Sequence, residues 1–214
     1  MNTRRLNVTD QLIANIDQAV RTLFGKPEPT ERLNPATDLP AVELNERERR
    51  EVAGLMRVNH AGEVAAQALY QGQALTARLP DVREKMERAA LEENDHLLWC
   101  EQRLAQLGDH TSYLNPLWHA GSLVIGAFAG WAGDRWSLGF VAETEHQVVA
   151  HLDRHLARLP QQDTRSRAIL EQMKKDESHH ATTALEAGGT VLPGPVKILM
   201  SLTSKVMTRT AYWI

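Results

Sequence analysis

From Asn45 onward the apolar residues of this chain return every three or four positions, and no stretch alternates apolar and polar as a half-buried strand does. That period predicts four long helices. The first starts at Asn45, where Glu48 stands at capping-box distance, and ends at Pro80. The second takes Asp81 and Glu84 as its box and closes on Gly108. The third runs from the Gly133 region to Pro160, and the fourth from Asp163 to the pair Gly188 and Gly189. Ahead of them, Val8, Leu12, Ile13, Ile16 and Val20 are roughly helix-spaced, which predicts a short amphipathic helix, packed rather than a membrane anchor or targeting segment. Four prolines between Gly25 and Pro40 then make a strap. The expected organisation is residues 1–44 as helix plus strap and 45–214 as one all-α domain.

Each stripe carries one glutamate where an apolar residue belongs. In the second helix it runs Met86, Ala90, Glu93, Leu97, Cys100, Leu104, Leu107; in the third, Leu138, Val141, Glu145, Val148, Leu152, His155, Leu159. The fourth gives Ile169 or Leu170, then Met173, Glu177, His180, Ala184. The first gives a weaker stripe through Val52, Met56, Asn59, Glu63, Ala66 and Tyr70. A buried carboxylate costs several kcal/mol unless it is neutralised, so four on one core demand positive charge. No lysine or arginine lies on the stripes beside them. Two divalent cations would balance the four charges, and His96 and His180, each three residues after a stripe glutamate, would add ligands without adding charge.

Residues three apart share a helix face, so Glu93 with His96 and Glu177 with His180 can each serve one ion, with Glu63 and Glu145 capping the remaining sides. Glu63 precedes Glu93 by 30 positions and Glu145 precedes Glu177 by 32, as two related helical hairpins would. One Glu from each of two helices plus Glu-x-x-His from each of two others is the donor pattern of ferritin-like di-iron and di-manganese proteins. The expected fold is therefore a ferritin-like four-helix bundle. Its ligands suit iron better than zinc, which favours closed four-coordinate sites, or calcium, which avoids nitrogen. Asp95 and Asp176 are candidates to orient the imidazoles, and His151, six residues after Glu145, could face the site; His60, His146, His155 and His179 read as core, surface or supporting groups.

Between Asp109 and Asp134 no charged residue occurs apart from histidine. Pro116, Ser122 and repeated glycines argue against a simple spanning helix, so the run is expected to form a hydrophobic helical hairpin lying against or dipping into a membrane, with a span or plain core as alternatives. The tail, with Ile198, Leu199, Leu202 and Val206 apolar, Lys197, Lys205 and Arg209 basic and Trp213 near its end, predicts an added C-terminal amphipathic helix at an interface.

Composition changes this picture little. The chain has 214 residues and net charge -3, with no basic block, so no nucleic-acid partner is expected. Its single cysteine, Cys100, fits a reducing compartment and a core position. No G-x-G-x-x-G strand–turn–helix unit is present, so a dinucleotide-binding domain of the usual kind is not expected.

The stretches "RVNHAGEVAA" around Glu63, "EENDHL" around Glu93 and His96, "VAETEHQVVAHL" around Glu145 and "DESHHA" around Glu177 and His180 resemble the demethoxyubiquinone hydroxylase family of ubiquinone biosynthesis. The likeness runs from about Asn45 to the C-terminus. It implies a di-iron monooxygenase, with two Fe ions on those six residues, hydroxylating the ring of a polyprenylated demethoxyubiquinol with O2 and reducing equivalents from NADH. It also implies peripheral attachment to a membrane surface, here the cytoplasmic side of a bacterial cytoplasmic membrane because no transit peptide is evident, and other ubiquinone-biosynthesis proteins as partners. The alternatives are an iron-storage or peroxide-scavenging ferritin-like protein, which has no use for the uncharged run, a tRNA-hydroxylating di-iron enzyme, which needs a basic face, and a purely structural bundle, which leaves Glu-x-x-His unexplained.

Overall fold

A computed structural model of the chain describes residues 8–25, 30 and 32–214. Among them are seven helices and no strand: α1 Val8–Phe24, α2 Glu46–Thr76, α3 Pro80–Gln106, α4 Asn115–Trp131, α5 Asp134–Arg158, α6 Thr164–Glu186 and α7 Gly194–Ala211. Val8 and Leu12 of the expected N-terminal stripe lie outside the described side chains, and residues 26–29 and 31 of the strap lie outside the described residues. Of the rest of that stripe, Ile13, Ile16 and Val20 are exposed.

The first capping box forms as its spacing requires: Glu48 N–H donates to Asn45 Oδ1 and Asn45 N–H to Glu48 Oε2, both at 3.0 Å. The second does not. Leu79, not Asp81, is the N-cap of α3, with Pro80 opening the helix and no side-chain cap. Proline suits the first turn because its missing N–H needs no partner there, and it holds the preceding residue extended. The backbone N–H groups of Arg78 and Leu79 donate instead to the Asp134 carboxylate at 3.0 and 2.8 Å. That same extended turn ends α2 at Thr76, short of Pro80. Gly108 closes α3 with φ 70°, the left-handed conformation that a Cβ disfavours.

The helices α2, α3, α5 and α6 form a four-helix bundle, in which α2 packs on α3 and α5 on α6. The connection between the two pairs is α4, which runs alongside α2 in the same direction: Asn115 meets His60, and further along Gly126 and Gly130 meet Leu69 and Gln73. The uncharged run is thus one continuous helix and not a hairpin of its own. Pro116 sits in its first turn, where proline is tolerated, and Gly126 and Gly130 bring its backbone against α2 without bending it. No helix among the described residues is long and apolar enough to cross a membrane.

Two apolar clusters fill the bundle. One gathers Leu55, Met56, Trp99, Leu104, Leu152, Leu170 and Met173; the other Tyr70, Val82, Met86, Leu138, Val141 and Ala184. Cys100 is buried in the first, 3.8 Å from Met173 Sδ, as expected of a core thiol. Between the clusters the stripes reach their carboxylates.

Candidate metal centre

Glu63, Glu93, Glu145 and Glu177 are each at most 3% exposed, and His96 is fully buried. Glu63, Glu93, His96 and Glu177 each place one ligand atom within 4.8 Å of every other. The two Glu-x-x-His units interlock. Glu177 sets Oε1 3.0 Å from His96 Nδ1 and Oε2 3.1 Å from His180 Nδ1. Glu93 does the reverse, with Oε2 3.0 Å from His96 Nδ1 and Oε1 3.6 Å from His180 Nδ1. Each of these glutamates therefore offers an oxygen to both histidines, which is the disposition of a bridging carboxylate. Glu63 stands on the His96 side, 3.5 Å from its Nδ1, and Glu145 beside Glu177 and His180. Four of the six residues singled out by spacing thus share one cluster of ligand atoms, and His180 and Glu145 flank it beside Glu177.

Both imidazoles turn Nδ1 toward the carboxylates and Nε2 outward to an acid. His96 Nε2 lies 3.0 Å from Asp176 Oδ2, and His180 Nε2 lies 2.8 Å from Glu92 Oε2. With Nε2–H donating to those acids, the Nδ1 lone pairs face the cluster, as metal-ligating histidines require. Asp176 was anticipated in this role; Glu92 was not. The signal was in the sequence, since an acid immediately precedes the glutamate in both units and reaches the histidine of the opposite helix. Asp95, the other candidate for that role or for an exposed position, is buried and held by Thr30 and Arg32, the arginine at 2.6 Å. Arg32 also reaches Asp176 at 2.8 Å, so one cation from the strap pairs with both Asp95 and the acid behind His96. Tyr70, a stripe residue that spacing marked only as core, donates its hydroxyl to Glu145 Oε1. His151 pairs its ring with His155 at 3.9 Å, His60 is buried against Asn115, and His146 and His179 are exposed.

The protonation of the cluster shows what it lacks. Burial, and then Glu93, push Glu63 well above the usual carboxylate range; burial and Glu177 do the same to Glu145. Burial disfavours charge on His180, yet its bonds to Glu177 and Glu92 outweigh this and raise it to about 11. His96 is raised well above the ordinary value against the same burial, chiefly by the charge of Glu177. Burial would also raise Glu177, but the charges of His96 and His180 hold it well below the carboxylate range. Protons thus take the place of positive charge in an acid-rich core. Even so, Glu93 Oε1 is buried with no hydrogen bond among the described residues. An orphaned acceptor on one shared carboxylate, and two oriented Nδ1 atoms facing an acid-rich core, fit a pair of divalent cations.

Comparison with known proteins agrees with this geometry. The model of the family described as ubiquinone biosynthesis protein COQ7 matches residues 50–211. A 3-demethoxyubiquinol 3-hydroxylase of Nitrosococcus oceani is 65% identical over 214 residues, 100% of either chain. Its counterpart in Nitrosomonas europaea is 58% identical over 209 residues, 98% of this chain and 100% of that one. One from Acinetobacter baumannii is 60% identical over 205 residues, 96% of this chain and 97% of that one. Among solved structures, a dodecameric thioferritin, the bacterioferritin-related protein of Bacteroides fragilis, superposes with TM-score 0.55 at 15% identity, covering 64% of this chain and 84% of that one. At that identity the likeness speaks for the ferritin-like fold alone.

Proposed function

This chain belongs to the COQ7 family of ubiquinone biosynthesis proteins, and from that membership we propose that it is a 3-demethoxyubiquinol 3-hydroxylase whose six clustered side chains hold two iron ions. The single observation that carries the metal assignment is the interlock of Glu93 and Glu177, each presenting one oxygen to each histidine. When bound, the irons supply open coordination positions and electrons for the reduction of O2. In the balance of a hydroxylation, one oxygen atom enters a ring C–H bond and the other leaves as water, with two electrons and one proton drawn from the reductant, here NADH, and a second proton from solvent.

The chain's own residues bind, orient and insulate. Glu63 and Glu145 close the two ends of the site, and Tyr70 fixes Glu145 by its hydroxyl. Asp176 and Glu92 hold the imidazoles, and Arg32 holds Asp176. The apolar clusters above and below exclude water, which strengthens every charge interaction within. Storage or peroxide scavenging would use the same ligands, but it leaves the apolar surface without a purpose.

That surface is the basis for the rest of the reading. On α4, Leu117, Val124, Phe128 and Trp131 are exposed, and on α7, Ile198, Leu199, Leu202 and Val206. Apolar side chains exposed at helical spacing on each of these two helices mark an interaction surface. In the proposed function it rests on the cytoplasmic face of a bacterial cytoplasmic membrane, where the polyprenyl tail of the quinol resides and other ubiquinone-biosynthesis proteins can meet it. Iron-loaded protein should float with vesicles that carry a long-tailed demethoxyubiquinol and, given O2 and a reductant, convert it to the hydroxylated ring. Floating without product would leave a membrane-bound bundle of another activity, and product without floating would remove the membrane part.

A further inference from the structure

The central helix α2 is buried on every side from Val52 to Ala74 except at Gly62 and Leu69. These two are seven residues apart, two turns of helix, so they face the same way. On one side of them α4 presses on Gly72 and on the Leu69 backbone, and the end of α7 covers Val58 and Ala61. On the other, α5 reaches Tyr70 and Gln73. Between those neighbours α2 is partly open at Gly62 and Leu69, beside the small buried side chains of Ala65 and Ala66.

The three glycines of α2 differ in what excludes a side chain. A Cβ on Gly54 would strike the Tyr212 ring, and one on Gly72 the backbone of Leu123 and Ala127. A Cβ on Gly62 would meet nothing within 4 Å among the described residues. Glycine inside a helix costs about 1 kcal/mol relative to alanine, and at Gly62 no packing requirement offsets it. What its bareness provides is space, and that space adjoins Glu63. A second observation points the same way. Asn59, one turn before Glu63 and 3% exposed, has no hydrogen-bond partner for either amide atom among the described residues. At 100° per residue, Gly62, Ala66 and Asn59 follow in that order around the helix from that partly open side to the face of Glu63.

We propose that Gly62 keeps open the passage through which the quinol ring and the first part of its tail reach the carboxylate cluster, and that Asn59 presents its amide to a ring oxygen. This rests on the hydroxylase reading and adds the route and the residues that set ring size. A flat ring with an apolar tail suits these small alanines beside Leu69, with one buried amide at the inner end.

The test compares Gly62→Ala and Gly62→Leu with the wild type, using a demethoxyubiquinone with a short isoprenoid tail. Binding to the metal-free proteins is followed by quenching of tryptophan fluorescence, and kcat and KM are measured on the iron-loaded ones. Both variants should melt at or above the wild-type temperature and take up as much metal, because a better helix former enters open space. Gly62→Leu should bind the quinone about tenfold more weakly or worse, with KM raised in proportion, and Gly62→Ala should lie between. A Gly62→Leu protein that binds and turns over the quinone as the wild type does would overturn the proposal, as would one that melts much lower, since the space would then not be open. A wild type that is active while Gly62→Leu is unaffected refutes this route alone; a wild type that neither binds nor hydroxylates the quinone removes the substrate reading and this proposal with it.

Discussion

A Glu177→Ala variant is expected to lose metal binding and turnover together while remaining folded. Glu177 is the donor with the most connections in the cluster: its two oxygens lie 3.0 and 3.1 Å from the Nδ1 atoms of the two histidines, and Glu63 and Glu145 both feel its charge. Changing a group that only supports a metal ligand typically weakens binding 10–100-fold, so removing a carboxylate shared by both ions should weaken it by more than about a hundredfold. The fold should survive because the apolar clusters on either side do not include residue 177, and one carboxylate fewer relieves the crowding that pushes Glu63 and Glu145 up. Metal content by elemental analysis, beside circular dichroism and product formation, checks all three. A variant with full metal and full activity would remove Glu177 from the site.

Metal loading should release protons and weaken steeply as the pH falls. In the metal-free protein Glu63, Glu145, His96 and His180 are all raised, so each holds its proton to higher pH than usual and must give it up to bind a cation, His180 most plainly, since it is raised to about 11. Glu177 is depressed and contributes none. The sign follows directly: a group whose pKa in the metal-free protein lies above the working pH must give up its proton to the metal. Acid therefore strengthens the competitor and alkali weakens it. Protons should leave as the ions bind, the one on His180 among them, and affinity should change about tenfold per pH unit for each proton displaced. Titration calorimetry in two buffers of different ionisation enthalpy counts them. Binding with no proton release would mean that the cluster is not where the metal goes.

The donors were legible in the sequence because a glutamate on an apolar helical stripe is anomalous wherever the helix packs. Glu93, Glu145 and Glu177 stood out against long stripes that prove buried, and only Val148 and His180 among the positions named around the latter two are partly exposed. Glu63 was harder to read. Its helix is surrounded by α3, α4, α5 and α7, so nearly every face is apolar or small and the stripe fades. The helix count also came from periodicity, and the ends that went astray did so through tertiary contacts: Asp134, from the start of α5, holds the turn before α3 and makes an Asp81 cap unnecessary. The uncharged run was misjudged as a hairpin because its glycines read as breaks, whereas Gly126 and Gly130 serve close approach to α2. Tyr70 and Arg32 could not be placed from spacing. Their roles come from partners 75 residues away for Tyr70 and 144 for the Arg32 contact to Asp176.

The number of metal ions that the cluster binds decides most directly what it is. Metal-free protein loaded with ferrous iron without oxygen, then freed of excess iron, should retain about two ions per chain, since four carboxylates balance two divalent charges and each histidine serves one. Retention of none, or uptake that persists undiminished when Glu93 and Glu177 are both replaced by alanine, would contradict it.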